Sequence, residues 1–372
     1  MLGVLLLSLI LTGLLLGCAA DGQQPAPPLP PVAPHPESGR EHHPPDGRGP
    51  FRNLDPPIPR PFWPSVRWIA GRIFSQRTHP PTPFRPIHPE EFRLPEEGMR
   101  LFWLGHSTVL IGLDTLWLLT DPVFSRRVSP VSFAGPVRQV ALPAKPKDLP
   151  PIALVLISHN HYDHLDKASI LELERRFEPL FLVPLRVGRH LRNWGVRRVR
   201  ELDWWEYVDV GPLRLFCTPA RHFSNRGLTD RNRDLWASWY VQHRRRPDYS
   251  LYFGGDTGYG SHFRLIRQRL GPPRVALLPI GAYEPRWFMQ EVHVDPEEAL
   301  RAFQDLEAEH MLAIHWGTFD QADEPLDQPP RRLMEAAGHY GLPTARLHVL
   351  PVGGSLYIGP ADRQEGASRQ QS

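Results

Sequence analysis

The sequence predicts an α+β chain in which two sheets are sandwiched between helical layers, a four-layer αββα sandwich. Three observations predict it. From Met99 onward, short apolar runs alternate with amphipathic stretches of helical spacing. The first three runs follow one another closely enough to form a meander, while the later ones are separated by helix-length segments. Several apolar runs end on a single His or Asp, so polar groups stand at the mouths of buried strands.

Residues 1–17 are almost wholly apolar and close on Leu15-Leu16-Gly17-Cys18. Such a run is short for crossing a bilayer and fits a signal-peptide core. Its ending resembles a bacterial lipobox. That resemblance implies cleavage before Cys18, lipid attachment to the Cys18 thiol and, with Ala19 next, an outer-membrane anchor facing the periplasm of a bacterial envelope. No Lys or Arg precedes the core, so a simply cleaved peptide and a retained anchor stay open. Residues 18–50 follow as a Pro-rich tether, with ten prolines between Gln23 and Pro50 and no apolar periodicity. Ordered structure is expected over 51–356, and 357–372 is expected to be a flexible tail.

Residues 62–74 predict a short helix after Pro64, with Val66, Ile69, Ala70, Ile73 and Phe74 on one stripe and Arg60, Arg67, Arg72 and Arg77 around it. This suits a helix lying on a membrane surface; a helix packed on the protein's own core is the other reading. Leu101–Leu104, Thr108–Ile111 and Leu116–Thr120 predict the meander, and Ile152–Ser158 a buried strand. Ala168–Phe177 is expected to be helical, Leu180–Val183 a strand and Arg186–Trp194 a helix. Strands are expected at Leu213–Thr218, Ala237–Gln242, Ser250–Phe253, Val275–Leu278, Met311–His315 and Leu347–Val352, and helices at Ser261–Leu270 and Pro330–Tyr340. Asp295-Pro296-Glu297-Glu298 predicts a helix start, with Pro in the first turn and acid near the positive end of the dipole.

The 372 residues are 41% apolar, enough for a sizeable core, and carry a formal charge of +3. No long Lys/Arg run is present, which argues against a nucleic-acid partner. With Cys18 lipidated, Cys217 has no partner for a disulfide, and its apolar strand predicts a buried, inert thiol.

The chemistry concentrates in Ile157-Ser158-His159-Asn160-His161-Tyr162-Asp163-His164-Leu165. Three imidazoles and a carboxylate directly after an apolar strand are expensive to dehydrate unless they serve a ligand. In extended chain His159, His161 and Asp163 point to one side, whereas His164 points elsewhere and suits a second ion. Imidazole and carboxylate without nearby thiolate select Zn²⁺, with Fe or Mn as alternatives. Further ligands must come from other strand ends, and His222, Asp256 and His315 each stand at one.

The run His-x-His-x-Asp-His, with the later His222, Asp256 and His315, resembles the metallo-β-lactamase fold superfamily. The blocks at Glu201–Glu206, Gly255–Tyr259, Pro279–Met289 and Ala313–Phe319 resemble the N-acylphosphatidylethanolamine-hydrolysing phospholipase D family, over residues 51 to 342. The resemblance implies two zinc ions, with His159, His161 and His222 on one, Asp163, His164 and His315 on the other, and Asp256 bridging. It implies a zinc-dependent phosphodiesterase in which a metal-bridged hydroxide attacks phosphorus, releasing an N-acylethanolamine and phosphatidic acid. Asp163 and Asp256 would then be catalytic as well as ligating, His293 would serve catalysis and substrate, and Tyr162 and Tyr283 would orient phosphate or leaving group. The family pattern has Gln where this chain has Val292. That departure keeps open another hydrolase of the superfamily, acting on a different phosphodiester or a lactone; a non-catalytic envelope lipoprotein is the remaining alternative. Arg221, Arg226, Arg231 and Arg233, with Arg244, Arg245 and Arg246, are expected to form a basic rim facing an anionic membrane phospholipid. A homodimer is compatible with all of this.

Overall fold

Each apolar run of the meander is long enough to span one sheet and too short for a helix, so the three pair side by side. The structure, a computed structural model, describes residues 28–35, 39–44, 49–73, 77–131 and 133–360. Among these, the strands in chain order are β1 (Val32–Pro34), β2 (Met99–Gly105), β3 (Thr108–Leu113), β4 (Leu116–Thr120) and β5 (Leu154–Leu156). Next come β6 (Leu180–Pro184), β7 (Val199–Leu202), β8 (Glu206–Val210), β9 (Leu213–Thr218) and β10 (Ser238–His243). The last are β11 (Arg246–Phe253), β12 (Val275–Pro279), β13 (His310–Ile314), β14 (Leu347–His348) and β15 (Ser355–Ile358). The helices are α1 (Phe62–Ile73), α2 (Lys167–Phe177), α3 (Gly188–Asn193), α4 (His262–Leu270), α5 (Arg286–Met289), α6 (Pro296–Asp305) and α7 (Gln328–His339).

One sheet runs β15-β2-β3-β4-β5-β6-β7, the other β1-β8-β9-β10-β11-β12-β13-β14. Each begins antiparallel and turns parallel, at β4–β5 in the first and β11–β12 in the second. The parallel half is where helices must cross over, and their apolar faces cover the outer sides of the sheets. Ile170 and Leu173 of α2 and Leu191 of α3 are fully buried with the seven-stranded sheet. Ala299, Leu300 and Phe303 of α6 and Leu333 and Ala337 of α7 join the core built around the eight-stranded one. Trp103, Trp239 and Phe253 are fully buried in that core, where the sheets face each other. The expected αββα sandwich is therefore the observed one. The expected start of α6 is also present: Asp295 accepts from the Glu298 amide at 2.8 Å, Glu298 accepts from the Asp295 amide at 3.3 Å, and Pro296 lies in the first turn. Cys217 is fully buried, its thiol 3.6 Å from the Leu202 carbonyl oxygen.

Two expected boundaries need correction. Residues 18–50 are not a free tether throughout. Val32–Pro34 adds an edge strand antiparallel to β8, and the Arg200 guanidinium donates to the Leu29 and Pro30 carbonyl oxygens at 2.9 and 2.7 Å. Proline is tolerated there because an edge strand needs donors on one side only, so proline content was a poor guide to detachment. The tail does not start at 357 either: Tyr357 and Ile358 continue β15 against β2, and Ile358 is buried. Residues 1–17, Cys18 and 361–372 lie outside the described residues. Among the described residues, no helix is long and apolar enough to cross a membrane.

The helix expected after Pro64 begins two residues earlier, at Phe62. It docks through Trp68, whose ring lies 4.7 Å from that of Phe288 and whose indole N–H donates to Asp323 at 2.7 Å, and through Arg72, which donates to Asp320 at 2.6 Å. Its opposite face leaves Phe62 and Trp63 about three-quarters exposed, at 69% and 76%, with Val66 and Ile69 also exposed. Of the expected stripe, Phe74 and the Ile73 side chain lie outside the described residues.

Candidate metal centre

The strand ends meet at one edge of the sandwich. His159–His164 follow β5, His222 follows β9, Asp256 follows β11 and His315 follows β13. His106 and Asp121, which sequence reasoning did not select, enter from the β2–β3 turn and the end of β4. Close approach of these loops requires glycine at two points. A Cβ on Gly255, at φ +59°, would meet Ser158 Cβ at 2.6 Å, and one on Gly281 would meet the His315 carbonyl oxygen at 2.2 Å. His315 itself sits at φ +59°, a left-handed conformation that a non-glycine residue holds only when its surroundings impose it.

All seven expected ligands are brought together, in two groups whose donor atoms converge. One holds His159, His161, His222 and Asp256; the other holds Asp163, His164, His315 and His106. Asp256 touches both, with Oδ2 at 3.1 Å from His164 Nε2 and 3.8 Å from His222 Nε2, and Oδ1 at 3.0 Å from His315 Nε2. Alternation along an extended chain would have put Asp163 with His159 and His161. It does not, because the backbone turns after Ser158: the amides of His164 and Leu165 both donate to the His161 carbonyl oxygen.

Three of the imidazoles are held from behind. Asp121 Oδ2 lies 2.6 Å from His164 Nδ1, Ser158 Oγ lies 2.8 Å from His159 Nδ1, and the Val292 carbonyl oxygen lies 2.9 Å from His222 Nδ1. These contacts leave all three Nε2 atoms facing the centre, the usual support of metal-bound histidine. Asp163 Oδ2 accepts from His106 Nε2 at 3.0 Å and from the Gln321 amide at 2.7 Å. A signal for Asp121 and His106 existed in the sequence, since each also closes an apolar strand, but neither lies in a clustered motif.

The electrostatics favour a cation. Burial raises the Asp256 carboxyl, yet His164, His315 and His293 outweigh it and hold the group well below the usual carboxylate range. Burial, reinforced by His164, His161 and His222, pushes His159 far down, and burial brings His161 to about 4 against the pull of Asp163 and Asp256. Burial also raises Asp163, but His164, His106 and His315 outweigh it and hold the group well below the usual range. Burial lowers His164 and His315, but Asp256 and Asp163 outweigh it and raise both, His315 to about 9. Two carboxylates thus stay ionised beside His159 and His161, which keep free lone pairs. His159 Nε2 and His161 Nδ1 are only 2.8 Å apart, and the buried His164 Nε2 and His315 Nε2 face Asp256 at 3.1 and 3.0 Å without an aligned hydrogen bond. Imidazole nitrogens and carboxylate oxygens crowded toward a common point are a donor set that fits a divalent cation.

The other selected residues divide. His293 joins the centre: it forms a group with Asp256 and His315, its ring is 5.3 Å from that of His222, and its Nδ1 has no partner. Tyr162 flanks the centre, but its hydroxyl donates to the Arg226 carbonyl oxygen at 3.0 Å and its ring lies under the Arg226 guanidinium. Tyr283 is not brought to the site. It is fully buried and donates to Gln328 at 2.8 Å, so it anchors α7. Only part of the expected basic rim stands by the centre: Arg231 lies over Phe223, whose ring is 4.5 Å from that of His161, and its charge helps to lower His161. Arg221 and Arg226 donate to backbone carbonyl oxygens, and register places His243 opposite Leu213, which puts Arg244–Arg246 at the end of β9 remote from His222.

Comparison with known proteins agrees with this geometry. The Beta-lactamase superfamily domain matches residues 116–316. An uncharacterised Mycobacterium tuberculosis protein is 42% identical over 299 residues, 78% of each chain. N-acyl-phosphatidylethanolamine-hydrolyzing phospholipase D 1 of Caenorhabditis elegans is 39% identical over 63% of this chain and 68% of its own. Outer membrane protein RomA of Klebsiella pneumoniae is 40% identical over 28% of this chain and 75% of its own. A possible metal-dependent hydrolase from Veillonella parvula shares the fold at TM-score 0.57 and 16% identity, over 70% of this chain and 100% of its own. Fold and site thus define a metal-dependent hydrolase of the metallo-β-lactamase superfamily. Within that superfamily, the chain belongs to the N-acylphosphatidylethanolamine-hydrolysing phospholipase D family.

Proposed function

We propose that the protein is a zinc-dependent phosphodiesterase of phospholipase D type. Water and N-acylphosphatidylethanolamine would give phosphatidic acid and an N-acylethanolamine. The observation that carries this reading is Asp256 in contact with both ligand groups, since a shared carboxylate is suited to hold two cations side by side. His159, His161 and His222 would hold one zinc, and Asp163, His164 and His315 the other. Bound zinc would supply Lewis acidity and a water activated near neutral pH, its pKa lowered to roughly 7. The chain's own residues do the rest. His106 and Gln321 fix Asp163 Oδ2, so this carboxylate keeps one orientation as the reaction proceeds. Burial takes His293 down to about 3 against the pull of Asp256, leaving a neutral imidazole beside the centre that can orient a phosphate oxygen by donating one N–H. This substrate is supported by the name of the nematode relative, a phospholipase D that hydrolyses N-acyl-phosphatidylethanolamine, together with the exposed face of α1. Asp320 and Asp323 hold that helix, and Gln321 between them reaches the centre, so an apolar surface for lipid stands beside the metal groups. An envelope location with a lipidated Cys18 would bring this face to the bilayer, which suits the short match to an outer membrane protein.

A second reading has its own observation. The Val292 side chain is buried and offers phosphate no hydrogen bond, which fits a different diester or a lactone. The test is hydrolysis by purified protein of N-acylphosphatidylethanolamine in mixed micelles against other phosphodiesters and a lactone, with and without chelator. Chelator-sensitive release of N-acylethanolamine as the preferred reaction is the expected result. Preference for another substrate would end the phospholipase reading while leaving the metal centre standing.

A further inference from the structure

Away from this centre, the N-terminal arm carries two adjacent histidines that converge on one carboxylate. His42 Nε2 lies 2.7 Å from Asp203 Oδ1, and His43 Nε2 lies 2.5 Å from Asp203 Oδ2. Adjacent residues rarely aim side chains at one point. Here a turn closed by the His43 amide on the Arg40 carbonyl oxygen makes them do so. We propose that His42, His43 and Asp203 form an additional, structural site for a divalent cation of the Zn²⁺ class, which fastens the N-terminal arm to the eight-stranded sheet.

The donors are fixed before any ion arrives. The His42 ring stacks on Trp204 at 4.2 Å and 27°, and the His43 ring meets Phe51 edge-on at 5.4 Å. Asp203 Oδ1 also accepts from the Trp204 amide at 2.8 Å, and the Asp203 amide donates to Glu206 at 2.7 Å. His42 is 1% exposed and Asp203 8%, whereas the His43 side chain is 21% exposed. The set is therefore two imidazole nitrogens and a carboxylate oxygen, with solvent access on one side for a fourth ligand, a donor set and geometry that zinc accepts. Zinc bonds of about 2.0–2.2 Å in a tetrahedron separate ligand atoms by about 3.3 Å. The distances at this clasp are somewhat shorter, as is the 2.8 Å between His159 Nε2 and His161 Nδ1 at the main centre. Binding would replace two N–H···O bonds by two N–metal bonds and one O–metal bond, with each neutral imidazole carrying its proton on Nδ1 instead of Nε2.

The arm has reason to need such a fastening. Its strand pairs over only three residues, Val32 to Pro34, and prolines deprive it of backbone donors. The reading is independent of the lipid substrate. It is tested on the full chain, stripped of metal and reconstituted with Zn²⁺, then separately with Co²⁺. His43→Gln keeps an amide that can still donate to Asp203 but is a poor zinc ligand. The expected result is one zinc fewer per chain in His43→Gln than in the unaltered protein. A wild-type-minus-variant cobalt spectrum should show visible ligand-field bands, and hydrolytic activity should be unchanged. His42→Gln should behave alike. Equal zinc content in the unaltered chain and both variants, with no cobalt difference spectrum, would overturn the site and leave a hydrogen-bonded clasp.

Discussion

His164 Nδ1 and Asp121 Oδ2 stand 2.6 Å apart, both fully buried, and this contact turns His164 Nε2 toward the metal centre. Asp121 also accepts from the Ser158 amide and hydroxyl, so it ties the end of β4 to the start of the ligand loop. Replacing Asp121 by Asn keeps the size but removes the charge that orients the imidazole. Zinc affinity should fall about 10- to 100-fold, measured by competition with a chromophoric chelator, with the circular dichroism spectrum unchanged.

Gln321 donates to Asp163 Oδ2 at 2.7 Å. Losing a hydrogen bond to an ionised group is worth about 1.5–3 kcal/mol, or roughly 10- to 100-fold in rate when it is made in the transition state. Gln321→Ala should lower kcat by that factor with little change in KM. A rise in KM alone would mean that Gln321 contacts substrate instead of positioning Asp163.

Tyr283 was selected from sequence as a substrate residue and is found fully buried against α7. Tyr283→Phe should leave kcat and KM as they were and cost about 1 kcal/mol in denaturant unfolding, the worth of one hydrogen bond.

The exposed Phe62 and Trp63 separate binding from chemistry. Replacing both by Ala should weaken cosedimentation with phospholipid vesicles several-fold. Hydrolysis of a short-chain, monomeric diester should be unaffected, because α1 docks through Trp68 and Arg72 on its other side.

Asp320 makes the docking of α1 pH-dependent. Burial raises its carboxyl, but Arg77, His79 and Arg72 outweigh burial and bring it to about 2. A folded-state value below the unfolded one stabilises the fold above about pH 4, and the gain is lost as pH falls toward 2. Allowing for solvent screening, about 1–2 kcal/mol is at stake. Unfolding free energy should decline over that window in the unaltered protein and decline less in Asp320→Asn.

The features legible in the chain alone are local or periodic. The meander, the buried strand before His159, the α6 cap at Asp295 and the clustered ligands were all legible, because strand period, capping chemistry and dehydration cost act between near neighbours. The lone residues His222, Asp256 and His315 were legible only as a set with that cluster. Tertiary structure alone decided the rest. It put Asp163 with His164 instead of His159, because a turn overrides strand alternation. It brought in Asp121, His106 and Gln321, each isolated in sequence and joined to the centre only by the meeting of distant loops. It sent Arg244–Arg246 to the wrong end of β9 for a rim, since register fixes which end of a strand a hairpin occupies. And it laid a proline-rich arm along β8, where the deciding quantity was an unpaired sheet edge elsewhere in the chain.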